Sequence, residues 1–311
     1  MKTKIWIALI VLYIVWGSTY LGIKIAVETI PPFFHAGVRF LLSGIILVLW
    51  QRAIGNDMPT KNQWKNILIV GTFLLLGGNG LVSWAEQTIP SGIAALIVGT
   101  VPLFLVIMEA FRPNGGKPTW QTMLGLLIGF VGVFILVGPA EITGSQERLH
   151  LPGVVAVLSA SILWAAGSIY SKGADLPKSS FMTTGAEMLM GSVGLFGMSL
   201  LTGELNGWSL GQVSTRSWLG LIYLITMGSI VGFGSYIWLL QNAPISLVAT
   251  YAYVNPIVAV ILGYFFGNEI LEPRIWLATG IIIGAVAFIN SKSKPPVKKE
   301  AQEKDVSRSE A

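Results

Sequence analysis

Residues Trp84–Pro102 read WAEQTIPSGIAALIVGTVP, an apolar stretch with one proline at its entrance, Pro90, and another further in, Pro102. Residues Trp238–Pro256 read WLLQNAPISLVATYAYVNP. Trp84, Gln87, Pro90, Ala95 and Pro102 recur there as Trp238, Gln241, Pro244, Ala249 and Pro256, each pair 154 positions apart. Two prolines, a glutamine and a tryptophan in one register point to a duplicated unit. The echo extends further. Trp16, Lys24 and Gly37 match Trp164, Lys172 and Gly185 at a spacing of 148. Gly78 and Gly80 match Gly232 and Gly234 at 154, and Gly125 and Gly129 match Gly280 and Gly284 at 155. The spacing drifts slowly, as loop insertions would cause.

The medium in which this unit folds follows from composition. The 311 residues are 53% hydrophobic and 11% charged, with a mean hydropathy of +0.70. A soluble domain carries about 25% charged residues, so this chain cannot cover a water-facing surface and the lipid bilayer is its expected partner. With no cysteine there is no disulfide, thiolate metal site or cysteine nucleophile. The two histidines, His35 and His150, are far apart, and no metal or cofactor is expected. The net charge of +5 is scattered over short loops and a tail, which fits membrane topology and not nucleic-acid binding. The first residues, MKTKIWIALIVLYIVWGSTY, have the lysines and apolar run of a signal peptide. However, the run continues past any small-residue cleavage site, and part of it is echoed in the second half.

A spanning helix needs about 20 mostly apolar residues. Ten stretches qualify: 5–27, 32–50, 64–84, 91–111, 120–137, 152–170, 181–201, 218–240, 245–266 and 275–289. They lack the alternation of a barrel strand, so an all-α integral membrane fold is expected. Residues 291–311 are polar and charged and read as a disordered cytoplasmic tail. Ten spans put both termini on one side. That side holds Lys2, Lys4, Arg52, Lys61, Lys65, Arg112, Lys117, Lys172, Lys178 and six basic residues of the tail, against Arg148, Arg216 and Arg274 on the other. Both termini are therefore expected in the cytoplasm. Five spans per half is an odd number, so the second half must enter from the opposite side. The expected fold is two inverted five-helix repeats, 5–137 and 152–289, around a central cavity, a common plan for secondary transporters.

Several residues stand out within the spans. Trp16 and Trp164 hold matched places and offer amphipathic cavity walls, or else packing aromatics. Pro102 and Pro256 each remove a helix hydrogen bond and free a carbonyl. They are expected to break the fourth and ninth spans and to face one another across the cavity. Asn255, just before the second proline, and Asn79, in Gly77-Gly-Asn-Gly80, are amides that lipid would not tolerate. Tyr236 and Tyr251 add hydroxyls, and Tyr251 shares a helix face with Asn255 four residues on. Arg39 and Glu187 are intramembrane charges at matched positions, 148 apart. Such charges are paired, snorkel, or carry function such as proton uptake. Lys24 and Lys172 sit near span ends and are expected to snorkel to the interfaces. Gly125/Gly129 and Gly280/Gly284 form small faces for packing within the chain or for a homodimer. No GxSxG, HExxH, Walker A or strand-linked GxGxxG motif occurs, so no catalytic residue is expected.

The Trp16-Gly-Ser-Thr-Tyr opening, the Arg39-Phe-Leu stretch, the Pro102 span and the ending PIVAVILGYFFGNE from Pro256 to Glu269 carry a family likeness. From Ile5 to Ile289 the chain resembles the EamA-like branch of the drug/metabolite transporter superfamily. The resemblance implies ten helices in two inverted repeats, with spans one, three, four, six, eight and nine around the cavity. It also implies substrates among amino acids, nucleotide sugars, other metabolites or drugs, moved by exchange with a counter-substrate or by coupling to protons. It places Trp16, Asn79, Trp164, Tyr236, Tyr251 and Asn255 on cavity-lining helices. Family members that export aromatic amino acids carry bulky aromatics around the third and fourth spans. Here those regions read Gly77-Gly-Asn-Gly and Val98-Gly-Thr-Val, which points away from such a substrate. The expectation is a cell-membrane secondary transporter exporting a small organic metabolite. Multidrug efflux and a non-transporting scaffold or receptor are the alternatives.

Overall fold

The computed structural model describes residues 2–111, 120–137, 150–171, 173–243, 251–270 and 272–290. Among these, every regular element is helical. The first half holds α1 (Lys2–Ala26), α2 (Pro32–Ala53), α3 (Lys61–Gly71), α4 (Leu81–Ala85), α5 (Ser91–Val98), α6 (Val101–Phe111) and α7 (Trp120–Val137). The second holds α8 (Leu151–Ser171), α9 (Ser180–Thr202), α10 (Thr215–Tyr223), α11 (Gly232–Asn242), α12 (Tyr251–Gly267) and α13 (Pro273–Asn290). Two π-helical segments, Thr72–Gly80 and Leu224–Val231, join α3 to α4 and α10 to α11. Among the described residues, six helical stretches are long and apolar enough to cross a membrane, and shorter apolar helices accompany them.

Local chemistry sets the helix ends. Thr60 and Gln63 form a reciprocal capping box at the start of α3, and the Ser179 hydroxyl accepts from the Met182 amide at the start of α9. α9 stops at Gly203, whose φ of 66° is the left-handed conformation that glycine adopts without strain. α2 and α5 follow Pro31 and Pro90 and have no side-chain cap of their own. Carboxylates from the other half supply it. Glu204 accepts from the amides of Phe33 and Phe34 at 3.3 and 2.7 Å, and Glu269 from those of Ser91 and Gly92 at 2.5 and 3.1 Å. Negative charge at a helix N-terminus is favourable in its own right.

Packing runs mainly across the two halves. α1 lies against α10, α11 and α12, while α8 lies against α3, the first π segment, α4, α5 and α6. α2 packs on α9, α7 on α13, and α5 on α12. One face of α1 buries Leu9 and Leu12, and another leaves Trp6, Ile7, Ile10 and Ile14 more than half exposed. A contiguous apolar strip of this kind fits a hydrocarbon surrounding.

The two prolines act differently from expectation. The first stretch is interrupted at Gly99–Thr100, between α5 and α6, and not at Pro102 itself. Thr100 turns its hydroxyl back to the Ile97 carbonyl at 2.6 Å. Pro102 then falls in the first turn of α6, where an amide has no intrahelical partner to lose. Pro256 lies inside α12, which runs through it without a break. Residues 244–250, including Pro244 and Ala249 of the repeated window, lie outside the described residues, as do Lys172 and the tail.

Candidate functional site

One side of α1 carries Trp16, Tyr20 and Lys24, spaced by four and therefore stacked along the helix. Each marks a different layer.

At Trp16 the layer is aromatic. Its ring lies 5.2 Å from Phe233, 5.1 Å from Tyr236 and 5.2 Å from Tyr251, the first and last edge-on. Tyr236 and Tyr251 meet each other at 5.9 Å, also edge-on. Such geometry suits aromatic quadrupoles. All four rings are half-buried, so the box they form from α1, α11 and α12 is not sealed. One turn beyond Tyr251, Asn255 is buried at 6% exposure, and its Oδ1 has no hydrogen-bond partner among the described residues. Asn255, Pro256 and Gly99 meet where α12 crosses α1 and the α5–α6 break: a Cβ on Gly17 would touch the Asn255 carbonyl at 3.2 Å, and one on Gly99 would touch Pro256 at 3.4 Å.

Trp16 lies directly over Gly232, so close that a Cβ there would collide with the indole nitrogen. Trp164, its counterpart in α8, lies over Gly78, the counterpart of Gly232, with its ring 2.8 Å from where a Cβ would stand. Each tryptophan therefore covers the glycine of the opposite half, next to or within a π-helical segment. Such segments recur at functional sites. Asn79 sits in the first of them and donates Nδ2 to the Leu74 carbonyl at 3.4 Å, supporting the wide turn from within.

At Tyr20 and Lys24 the layer is charged. Lys24 does not snorkel. Its Nζ donates to the carbonyls of Glu86 at 2.7 Å and Ile89 at 3.3 Å, closing the turn after α4. Arg39, buried at 4% exposure, donates Nε to Ser229 Oγ at 3.0 Å. The Ser18 and Tyr223 hydroxyls bond to one another at 2.5 Å. Glu86 has no exposed surface, and neither carboxyl oxygen has a hydrogen-bond partner among the described residues. It is the first residue beyond the apolar stretch Lys61–Ala85. Burial pushes its carboxyl well above the usual carboxylate range; Glu269 adds to this, and Lys24 and Arg39 oppose it. Glu187 is part-buried on α9, with no hydrogen-bond or ion-pair partner among the described residues, and it does not pair with Arg39.

The structure thus brings together Trp16, Tyr236, Tyr251, Asn255 and Pro256. It sets Trp164 with Asn79 on the other side and leaves Pro102 beyond the α5–α6 break. Sequence reasoning passed over Tyr20, Glu86, Ser229 and Phe233. Two signals were available: the four-residue spacing along α1, and the single acid of the Trp84–Pro102 window, whose matching position in the repeat is Leu240.

A helical bundle with aromatic and polar layers inside and an apolar belt outside is a polytopic membrane protein. The sequence pattern of the EamA-like transporter family matches residues 3–138 and again 151–291, and the chain belongs to that family. It is 39% identical over 284 residues, 91% of this chain and 89% of the relative, to a protein of Escherichia coli K12 named an uncharacterized inner membrane transporter, YedA. It is 23% identical to the Bacillus subtilis protein named uncharacterized transporter YvbV, over 94% of this chain and 93% of that one. A solved crystal structure shares the fold with a TM-score of 0.63 at 18% identity, covering 92% of this chain and 98% of the other.

Proposed function

We propose that this EamA-like transporter is a secondary active exporter of a small organic metabolite, working by alternating access. In this reading its ten spans form two inverted repeats, 5–137 and 152–289, with both termini and the tail at 291–311 in the cytoplasm. The carrying observation is the box of Trp16, Phe233, Tyr236 and Tyr251 beside the amide oxygen of Asn255, which has no partner among the described residues. Aromatic walls bind the apolar body of a solute, and the amide fixes a hydrogen-bonding group, which is how small-molecule sites are commonly composed. The crossed packing supports rocking, because α1 packs on α11 and α12 while α8 packs on the π segment, α5 and α6. Energy would come from a proton gradient or a counter-substrate.

The test combines a thermal-shift screen of purified protein against a metabolite library with flux measurements in proteoliposomes. A solute that binds the folded state raises its melting temperature. The expected hit also moves across the bilayer, and both effects are lost in Trp16→Ala and Asn255→Ala. Hits that bind equally well to both variants would remove the site, and well-folded protein with no flux under any ion gradient would remove the transport reading. Multidrug efflux is the second reading, favoured by the same rings, since aromatic faces attract organic cations. Binding of lipophilic cations in preference to neutral or zwitterionic metabolites would decide for it.

A further inference from the structure

Glu86 has no exposed surface, which sets it apart from Glu187, the other described acid without a hydrogen-bond or ion-pair partner. Glu204 and Glu269 turn their carboxylates to helix amides, but both oxygens of Glu86 are shut from solvent and meet no donor among the described residues. Two cations lie within electrostatic reach, and neither side chain bonds to the carboxyl, although the Lys24 backbone amide is near enough to favour the charged form. Lys24 points Nζ at the Glu86 and Ile89 carbonyls, and Arg39 points Nε at Ser229. Tyr20 reaches the same place from α1, Glu269 brings a second acid from the end of α12, and His35 lies near Arg39 on α2. α8, also packed on α4, carries no acidic or basic residue, and His150 just ahead of it is turned to Thr88.

A carboxylate buried without donors lacks what makes burial of a charge tolerable. A proton removes the charge. A metal cation would need several oxygens at once, and the two nearby carbonyls are already bonded to Lys24.

We propose that the Glu86 carboxyl is a proton-binding site, protonated in the arrangement seen here, where it is buried, and deprotonated when water enters between α1, α4 and α5. On opening, the O–H bond breaks and the proton passes to water. The carboxylate left behind is solvated and free to pair with Lys24 or Arg39. On closing, the proton is taken back from water. Any role in driving transport rests on the function proposed above; the protonation itself does not.

Infrared pH titration of the full chain in lipid nanodiscs tests this directly. At neutral pH the wild type should show the carbonyl stretch of a protonated acid that converts to carboxylate as pH rises. Glu86→Gln should abolish that component, and Glu187→Gln should leave it. Removing a like charge in Glu269→Gln should move its midpoint to lower pH, and removing an opposite charge in Lys24→Gln should move it higher, so the proposal survives a Glu86 variant that does not fold. Thermal stability offers a second readout. A carboxyl raised in the folded state contributes stability below its unfolded pKa and loses it as pH rises through the folded one. The wild-type melting temperature should therefore fall on that alkaline limb, and that of Glu86→Gln should not. An identical protonated-acid signal in wild type and Glu86→Gln, or a midpoint near the ordinary value of about 4.3, overturns the proposal. Absent flux in proteoliposomes would count against the transport reading and leave this result standing.

Discussion

The two halves put the same tryptophan over the same glycine, yet they put opposite charges at one matched place. Trp16 covers Gly232 and Trp164 covers Gly78, each reaching across to the other half. Arg39 and Glu187 also hold equivalent positions, on α2 and α9, which pack together. Arg39 turns inward to Ser229 and lies within reach of Glu86, whereas Glu187 has no partner among the described residues. Glu86 itself matches Leu240. What duplication preserved is the geometry of close approach between helices. What diverged is the chemistry, and it diverged so that the buried charges gather at the end of the bundle where α1 ends and α5 begins.

The first way to break the comparison is to fill the glycines. Gly232→Leu and Gly78→Leu each place a side chain where an indole already stands, and such overpacking destabilises by about 1–3 kcal/mol. Equal falls in melting temperature in detergent are expected, together with loss of flux in both. A damaging change on one side and a silent one on the other would show that the symmetry is only a relic. Gly197→Leu is the control, since a Cβ there meets nothing within 4 Å.

The charges should respond unequally. Arg39→Gln removes a charge-assisted hydrogen bond to Ser229, and such bonds contribute about 1.5–3 kcal/mol. Glu187→Gln removes no hydrogen bond or ion pair among the described residues, and its effect on stability is expected below about 0.5 kcal/mol, the range of substitutions that disturb no specific contact. Chemical denaturation in a mild detergent measures both. The same Glu187→Gln protein, tested for flux against pH, should keep the wild-type profile. A profile flattened by Glu187→Gln and untouched by Glu86→Gln would transfer the coupling role to Glu187.

How much of this was legible beforehand depends on what each residue does. Helix positions were legible because hydrocarbon forces every span to be continuous and apolar, and the stretch 120–137 coincides with Trp120–Val137. Trp16, Tyr236, Tyr251 and Asn255 were legible as candidates because polar or amphipathic groups inside apolar runs need a reason to be there. Their convergence was not, since it depends on α1 crossing two helices more than 200 positions away. Glu86 was hidden by its place at a span end, where a charge normally meets water. Only the Lys24 side chain closing the turn and the burial of its neighbours Ala85 and Ile89 turn it into an interior residue. Pro102 misled for a related reason: a proline in a first turn breaks nothing, and Gly99–Thr100 does the breaking one step earlier.

The smallest change in stability belongs to the sharpest test of the site. Val101 stands before Pro102 where Asn255 stands before Pro256. Asn255→Val therefore gives the second half the first half's residue. The Asn255 Oδ1 is buried without a partner among the described residues, so an apolar replacement of similar size removes an unsatisfied acceptor. Such an exchange is close to neutral or slightly stabilising. The unliganded melting temperature should stay the same or rise by a degree or two, within about 0.5 kcal/mol. If Asn255 is kept for a ligand, the thermal shift produced by that ligand should shrink in Asn255→Val while the unliganded protein is unharmed. If the amide serves packing alone, the ligand shift stays and the unliganded protein melts lower. The two outcomes move opposite quantities, so one pair of melting curves separates a residue held for binding from one held for structure.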